Sequence, residues 1–365
     1  MPVLCGGFLF AFASKCTPTF FSLFLADQGY STIDIILVST LFFLGAILVS
    51  PDIFKKTSSN KVFQIAAAIG STILHVQTHI YFLYGWFFIR FLQGLIDVFC
   101  RNSLNNLVQD RHLLVLNFAM NIGSSMGFLL MCFPGIYNLL FTITGVLLNL
   151  SFIAILLHKE PREYHRVLEI KKEKTFNNWY VILRANSLLF LGIILTTFFT
   201  TTLSTILPIT LRNNGFINSD ILRIMFVGSL GIAIIQMFGS FLRSMLGIRN
   251  FFRLLLISLP FFYLACLLSL YYKSLLISIF IFFIFGFHNM INGTVASIFR
   301  EEEGVSARMS RSGINQINNI GAILSSIIAI AFLTLSPHYG LFMLWFLSIF
   351  LIWFVIHSFK SIQKY

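Results

Sequence analysis

Twelve stretches of this 365-residue chain run apolar for about 20 residues at a time, with short polar breaks between them. They fall at roughly 3–25, 33–51, 61–77, 79–100, 113–133 and 137–157, then 181–209, 220–242, 251–271, 274–298, 313–335 and 339–358. So many such stretches cannot be hidden in one globular core. In lipid each must be helical, because only a helix satisfies its own backbone there. Composition agrees: 57% of residues are hydrophobic, 44 are Phe, and only 10% are charged, against about 25% in a soluble domain. The expectation is an all-α polytopic membrane protein with no room for a soluble catalytic domain.

The net charge of +12 points to nucleic acid only in a soluble protein. Here the basic residues gather in alternate loops. If the N-terminus is cytoplasmic, only Arg212, Arg223 and Lys273 fall outside, Lys15 and Arg90 lie within spans, and every other Lys and Arg faces the cytoplasm. That asymmetry predicts both termini inside, in a membrane of the bacterial inner-membrane kind. The first apolar run lacks a basic leader and carries Lys15 in its middle, so it reads as a span rather than a cleaved signal. The five cysteines are scattered with no CxxC or Cys/His spacing, which supports neither a disulfide framework nor a metal site. No HExxH, GxSxG or Walker-type sequence occurs, so no catalytic residue, cofactor or ATP-driven step is assigned. The run Glu301-Glu302-Glu303 reads as solvated charge.

The chain divides in two around its longest polar stretch, His158 to Asn178. The expected units are an N-terminal six-helix bundle (1–157), a cytoplasmic linker (158–180) and a C-terminal six-helix bundle (181–365). The halves echo each other. Leu25-x3-Gly29-Tyr30-x3-Asp34-Ile35 returns as Leu211-x3-Gly215-Phe216-x3-Asp220-Ile221, and Asn117-x3-Asn121-Ile122-Gly123 returns as Asn315-x3-Asn319-Ile320-Gly321. Two matches in the same order suggest a duplicated unit, and parallel halves of this kind bury a solute site between them.

Local motifs carry a family resemblance. Arg90-Phe91-Leu92-Gln93-Gly94 in span four matches an RxxQG signature. The loop after span two, from Gly45 through Asp52, Lys55, Lys56 and Lys61, is a degenerate GxxxD-[RK]xG-[RK] motif. The loop after span eight keeps Gly239, Arg243, Gly247 and Arg249 without an acid, and span five is rich in glycine around Asn121 to Gly127 but lacks a Gly-Pro pair. Over essentially its whole length the chain resembles the major facilitator superfamily. The resemblance implies twelve helices in two pseudo-symmetric six-helix bundles and alternating access. It also implies a secondary symporter or antiporter, commonly proton-coupled, and a monomer.

Charged and polar groups inside spans are costly and mark function by default. In span four Arg90, Gly94, Asp97 and Arg101 share one face, and Asp97 can pair with Arg101 at i,i+4. Asp97 reads either as a latch toward the Lys55/Lys56 loop or as a proton-coupling carboxylate. Lys15 and Arg90 read as cations lining a central cavity, or, for Lys15, as a packing residue bonded to carbonyls loosened by Pro18. The second half offers amides and one histidine: Gln236, His288, Asn289, Asn292, Asn315, Asn318 and Asn319. His288 is a packing residue or a proton carrier, since its ordinary pKa is about 6.5. The threonines of span seven are expected to bond backbone or pack helices rather than bind solute.

The candidate solute contacts are therefore Lys15, Arg90, Gln93, Asn117, Asn121, Gln236, His288, Asn289, Asn292, Asn315 and Asn319. The candidate gating or coupling residues are Asp52, Lys55, Lys56, Gly94, Asp97, Arg101, Gly239 and Arg243. Close helix approach is expected at Gly45, Gly94, Gly123, Gly239 and Gly321. The leading functional reading is transport of a small polar solute, tilted toward an anionic metabolite, with the lipid bilayer as environment and a proton as possible co-substrate. The alternatives are efflux of drugs or siderophore-like compounds, and a transporter-like sensor or polytopic membrane enzyme.

Overall fold

The computed structural model describes residues 1–16, 18–49, 59–77, 82–108, 113–132, 139–157, 187–303, 307–335, 345–350 and 353. The described residues are helical apart from short turns and helix ends. The helices are α1 (Pro2–Cys16), α2 (Pro18–Asp27), α3 (Thr32–Leu48), α4 (Ser59–Gln77), α5 (Leu83–Asn106), α6 (Leu113–Met131) and α7 (Leu140–Leu156). In the second half they are α8 (Ser187–Asn213), α9 (Asn218–Leu246), α10 (Ile248–Tyr271), α11 (Ile277–Glu303) and α12 (Ala307–Leu335), followed by α13 at 345–350. The linker at 158–180 lies outside the described residues, as do Asp52, Lys55 and Lys56.

The expected spans map onto these helices in order, with one difference. Span one is two helices, α1 and α2, with Pro18 as the first residue of the second. Proline has no N–H to donate and its ring crowds the carbonyl four residues back, so it starts a helix more readily than it continues one. Among the described residues six helices are long and apolar enough to cross a bilayer unaided, and four shorter ones are also apolar. Large apolar side chains such as Leu48, Ile65, Phe88, Phe241 and Phe261 stay more than half exposed. On a soluble protein so many would be a liability; here they face lipid. Of the twelfth expected span, α13 and Trp353 are described; Trp345 donates from its indole Nε1 to the carbonyl of Pro260 at 2.7 Å, tying α13 to α10.

Within the first half α1 packs on α6 and α7, α3 on α5, and α4 on α5 and α7. The second half repeats the plan with α9 on α11, α8 on α12, and α10 on α11. Between the halves the chief contacts are α6 with α9, α3 with α12 and α2 with α8.

Two details show the duplication in three dimensions. The repeated turn closes α2 and α8 in the same way. Gly29 and Gly215 sit at φ +84° and +90°, the left-handed region that glycine enters without cost. In each turn the glycine N–H bonds back to the residue three before it, and the next N–H reaches the carbonyl five before (Tyr30 to Leu25, Phe216 to Leu211, both 3.1 Å). That is the paired bonding of a Schellman cap. After the first turn Ser31 and Asp34 form a reciprocal capping box that starts α3.

The second detail is a pair of glycine crossings. A Cβ on Gly94 of α5 would run into the carbonyl oxygen of Phe42 on α3, and one on Gly45 into that of Phe91. In the second half a Cβ on Gly231 of α9 would strike the carbonyl of Phe282 on α11, and one on Gly286 would come within 2.8 Å of the Gly231 carbonyl. Gly45 and Gly231 occupy matching places in the repeat. Small residues allow such approaches, and in lipid the packing they permit is a main source of helix association.

Candidate functional site

The amides of the two halves meet where α6 crosses α9. Gln236 on α9 accepts through Oε1 from Asn121 Nδ2 on α6 at 2.7 Å and from Asn289 Nδ2 on α11 at 3.3 Å. Three of the residues expected from sequence to touch solute thus form one cluster, joining the first half to the second. One turn beyond Asn289, Asn292 bonds His288 Nε2 at 3.1 Å, and its own Oδ1 is buried without a hydrogen-bond partner. A buried acceptor left unmet costs about 1–3 kcal/mol, so a donor arriving there would be bound favourably. Asn117, Asn315 and Asn319 stand half-buried on α6 and α12.

Sequence reasoning missed one further buried amide, on α12. Gln316 on α12 is 8% exposed, and its Oε1 has no hydrogen-bond partner. Its signal was present, a polar side chain inside an apolar span beside Asn315. It was masked by the more numerous asparagines.

Arg90 sits elsewhere. It is buried on α5, its guanidinium carbon 4.5 Å from the ring centre of Phe21 on α2 and 4.9 Å from that of Phe42 on α3. Its NH1 donates to Gln93 Oε1 at 2.7 Å, one turn along the same helix. Two ring faces and an amide oxygen offset part of the loss of water. Its Nε is buried without a partner, and among the described residues no carboxylate lies within ion-pair distance. Arg90 and Gln93 therefore bind each other, and no contact joins them to the Gln236 cluster. Lys15 falls in the last turn of α1; its side chain lies outside the described residues.

The i,i+4 pair expected on α5 is present. Arg101 Nε donates to Asp97 Oδ2 at 2.7 Å and its NH2 to Oδ1 at 3.4 Å. Ser14 of α1 donates to Asp97 Oδ1 at 3.0 Å, so the carboxylate is shared between spans one and four. A cavity of about 60 Å³ opens beside it, lined by Phe10, Ser14, Phe42, Gln93, Asp97 and Thr144 among others. Its described lining residues all belong to the first half. Arg243 of α9 donates to Ser297 Oγ of α11 at 2.8 Å, and Gly239 receives the Met290 side chain against its backbone.

Thr196, Thr197, Thr200 and Thr202 of α8 bond backbone, as expected. Thr197 donates to the Ile193 carbonyl at 2.8 Å and Thr202 to that of Phe198 at 2.8 Å. They also pin α8 to α12: Thr197 lies 2.6 Å from Asn318 Oδ1 and Thr202 3.1 Å from Ser325 Oγ.

The sequence profile of the Major Facilitator Superfamily matches residues 3–302. The chain belongs to that superfamily. It shares its fold with solved superfamily-type transporters. The nucleoside transporter NupG aligns with a TM-score of 0.80 at 14% identity, covering 98% of both chains. A bacterial homologue of the human lysosomal transporter Spinster, solved inward-facing and unoccupied, gives 0.70 at 15% identity over 91% of this chain and 82% of its own. A structure from work on substrate recognition in proton-dependent oligopeptide transporters gives 0.72 at 14% identity over 100% and 99%. A search of curated sequences returns no match. As a superfamily member the chain is an integral, multi-pass membrane transporter and not an enzyme, and its solute is a small molecule taken from one side of a bilayer to the other.

Proposed function

We propose that this transporter carries a small polar solute by alternating access, with the solute held where the amides of the two halves converge. The contact that carries the reading is the hydrogen bond from Asn121 to Gln236, with Asn289 on the same oxygen. A solute with hydroxyl, amide or ring-nitrogen groups can exchange for these bonds one for one, because each amide offers both donors and an acceptor. Binding then feeds directly on the interface that must rearrange.

A tilt toward anionic solutes rests on Arg90. A buried guanidinium whose Nε has no hydrogen-bond partner, with no carboxylate within ion-pair distance among the described residues, can take an anionic group, and guanidinium holds carboxylate or phosphate by two parallel bonds. Without an ATP-binding sequence, the driving force is a gradient, and coupling to protons is the reading we adopt, with Asp97 or His288 as carriers. The positive-inside asymmetry supports a topology with both termini and the 158–180 linker in the cytoplasm, in an inner membrane, with the protein working as a monomer.

The test is flux in reconstituted vesicles with an imposed pH gradient, across organic acids, nucleosides, sugar phosphates and hydrophobic cations. Gradient-driven uptake of a polar anion or nucleoside, lowered in affinity by Gln236→Ala, is the expected result. Transport of hydrophobic cations alone would place the chain with drug exporters. No flux of any solute would favour a sensor.

A further inference from the structure

The two copies of the repeated turn do more than end their helices. Asp27 closes α2 in the first half, and Arg212 lies one residue from the end of α8 in the second. Across the junction of the halves Arg212 NH2 reaches Asp27 Oδ1 at 2.5 Å. Its NH1 donates to the carbonyl of Leu23 at 3.3 Å. Leu23 belongs to the last turns of α2, where the helix presents its negative end. One guanidinium thus binds both an acid and the carbonyl end of the same helix.

We propose that Asp27 and Arg212 form a latch that keeps the halves together at the end of the bundle marked by Gly29 and Gly215, and that the latch must part for solute to pass there. Three features support this. The partners come from helices of opposite halves, α2 and α8, so any separation of the halves at this end pulls on the pair. Each is anchored next to a cap with fixed geometry, so their positions follow the helices rather than a loose loop. Below them the junction is apolar: Ile209 of α8 packs with Phe21, Leu25 and Trp86, and Ile36 of α3 with Phe198, Ile206 and Ala329. That packing excludes water but lacks direction, so it sets no register between the halves. The ion pair supplies one.

Its exposure suits a reversible contact. Both side chains are about one-third exposed (33% and 32%), so each can be hydrated once parted. A pair this exposed contributes modestly, which biases an equilibrium without freezing it. The inference depends on the fold and not on which solute is carried.

The test reads the distance between the halves directly. Spin labels are placed at Tyr84 and Lys273, both exposed at this end of the bundle and one in each half, in the full chain with its native cysteines replaced by serine and reconstituted in lipid. Asp27→Asn and Arg212→Gln should each raise the long-distance population by about two- to fivefold. The charge swap Asp27→Arg with Arg212→Asp should bring it back toward the starting value. Unchanged distances in both single variants would overturn the latch. A shift in the singles that the folded swap fails to reverse would also overturn it, because the effect would then belong to each residue separately and not to their pairing.

Discussion

Replacing Gly94 by alanine adds one methyl group at the point where α5 crosses α3. The new Cβ would meet the Phe42 carbonyl oxygen far inside contact distance, with the Phe42 carbonyl carbon at 2.8 Å and the Ala46 nitrogen at 3.0 Å. All three are backbone atoms, so no rotamer change can relieve them. The helices must separate by roughly 1–2 Å to restore ordinary contact, and the lining atoms lose dispersion energy as they do. Overpacking of this kind costs about 1–3 kcal/mol, set against a gain of up to about 1 kcal/mol from the better helix propensity of alanine. Gly293 on α11 supplies the control, because a Cβ there meets nothing within 4 Å. Gly293→Ala should show the propensity gain alone. The two variants should then differ by about 1–3 kcal/mol, or roughly 1–4 °C in apparent Tm, measured by thermal unfolding of the purified protein in one detergent. If Gly94→Ala melts with Gly293→Ala, the crossing is not as tight as the backbone geometry requires, and the argument fails.

Further outcomes follow from the same geometry. Gly231→Ala should destabilise as Gly94→Ala does, because its Cβ would meet the Phe282 carbonyl; a neutral Tm would break the symmetry argument. Asp97→Asn removes the partner of Arg101 and weakens the acceptor of Ser14, so it should lower Tm more than Arg101→Gln with Asp97→Asn combined lowers it beyond the single. Additive losses in that double-mutant cycle would show that the pair does not act as a unit. Asn121→Ala and Gln236→Ala should each weaken solute affinity several-fold in vesicle flux, with little additivity between them; full additivity would place them in separate sites. Single cysteines within 158–180 should resist an impermeant thiol reagent in intact cells, and strong labelling before lysis would reverse the topology.

The sequence was enough to specify a membrane-spanning helical chain, because the period and length of its apolar runs leave lipid as the only solvent that suits them. It also exposed the duplication, since the turn around Gly29 and Gly215 needs the same residues in both copies to reach the same backbone conformation. The i,i+4 pairing of Asp97 with Arg101 was equally legible, because spacing along one helix fixes it. Contacts between helices were not. Arg90 and Lys15 look alike as basic residues within apolar runs of the sequence, yet only packing places Arg90 between Phe21 and Phe42. Gln236 gathers Asn121 and Asn289 only because α9 touches both α6 and α11. The Gly231 crossing and the Asp27–Arg212 pair escaped notice for the same reason. Local sequence sets the period of a helix and how it ends; which residues of distant helices come within hydrogen-bond reach depends on their rotation and crossing angle, and those are set by the packing of all the helices together.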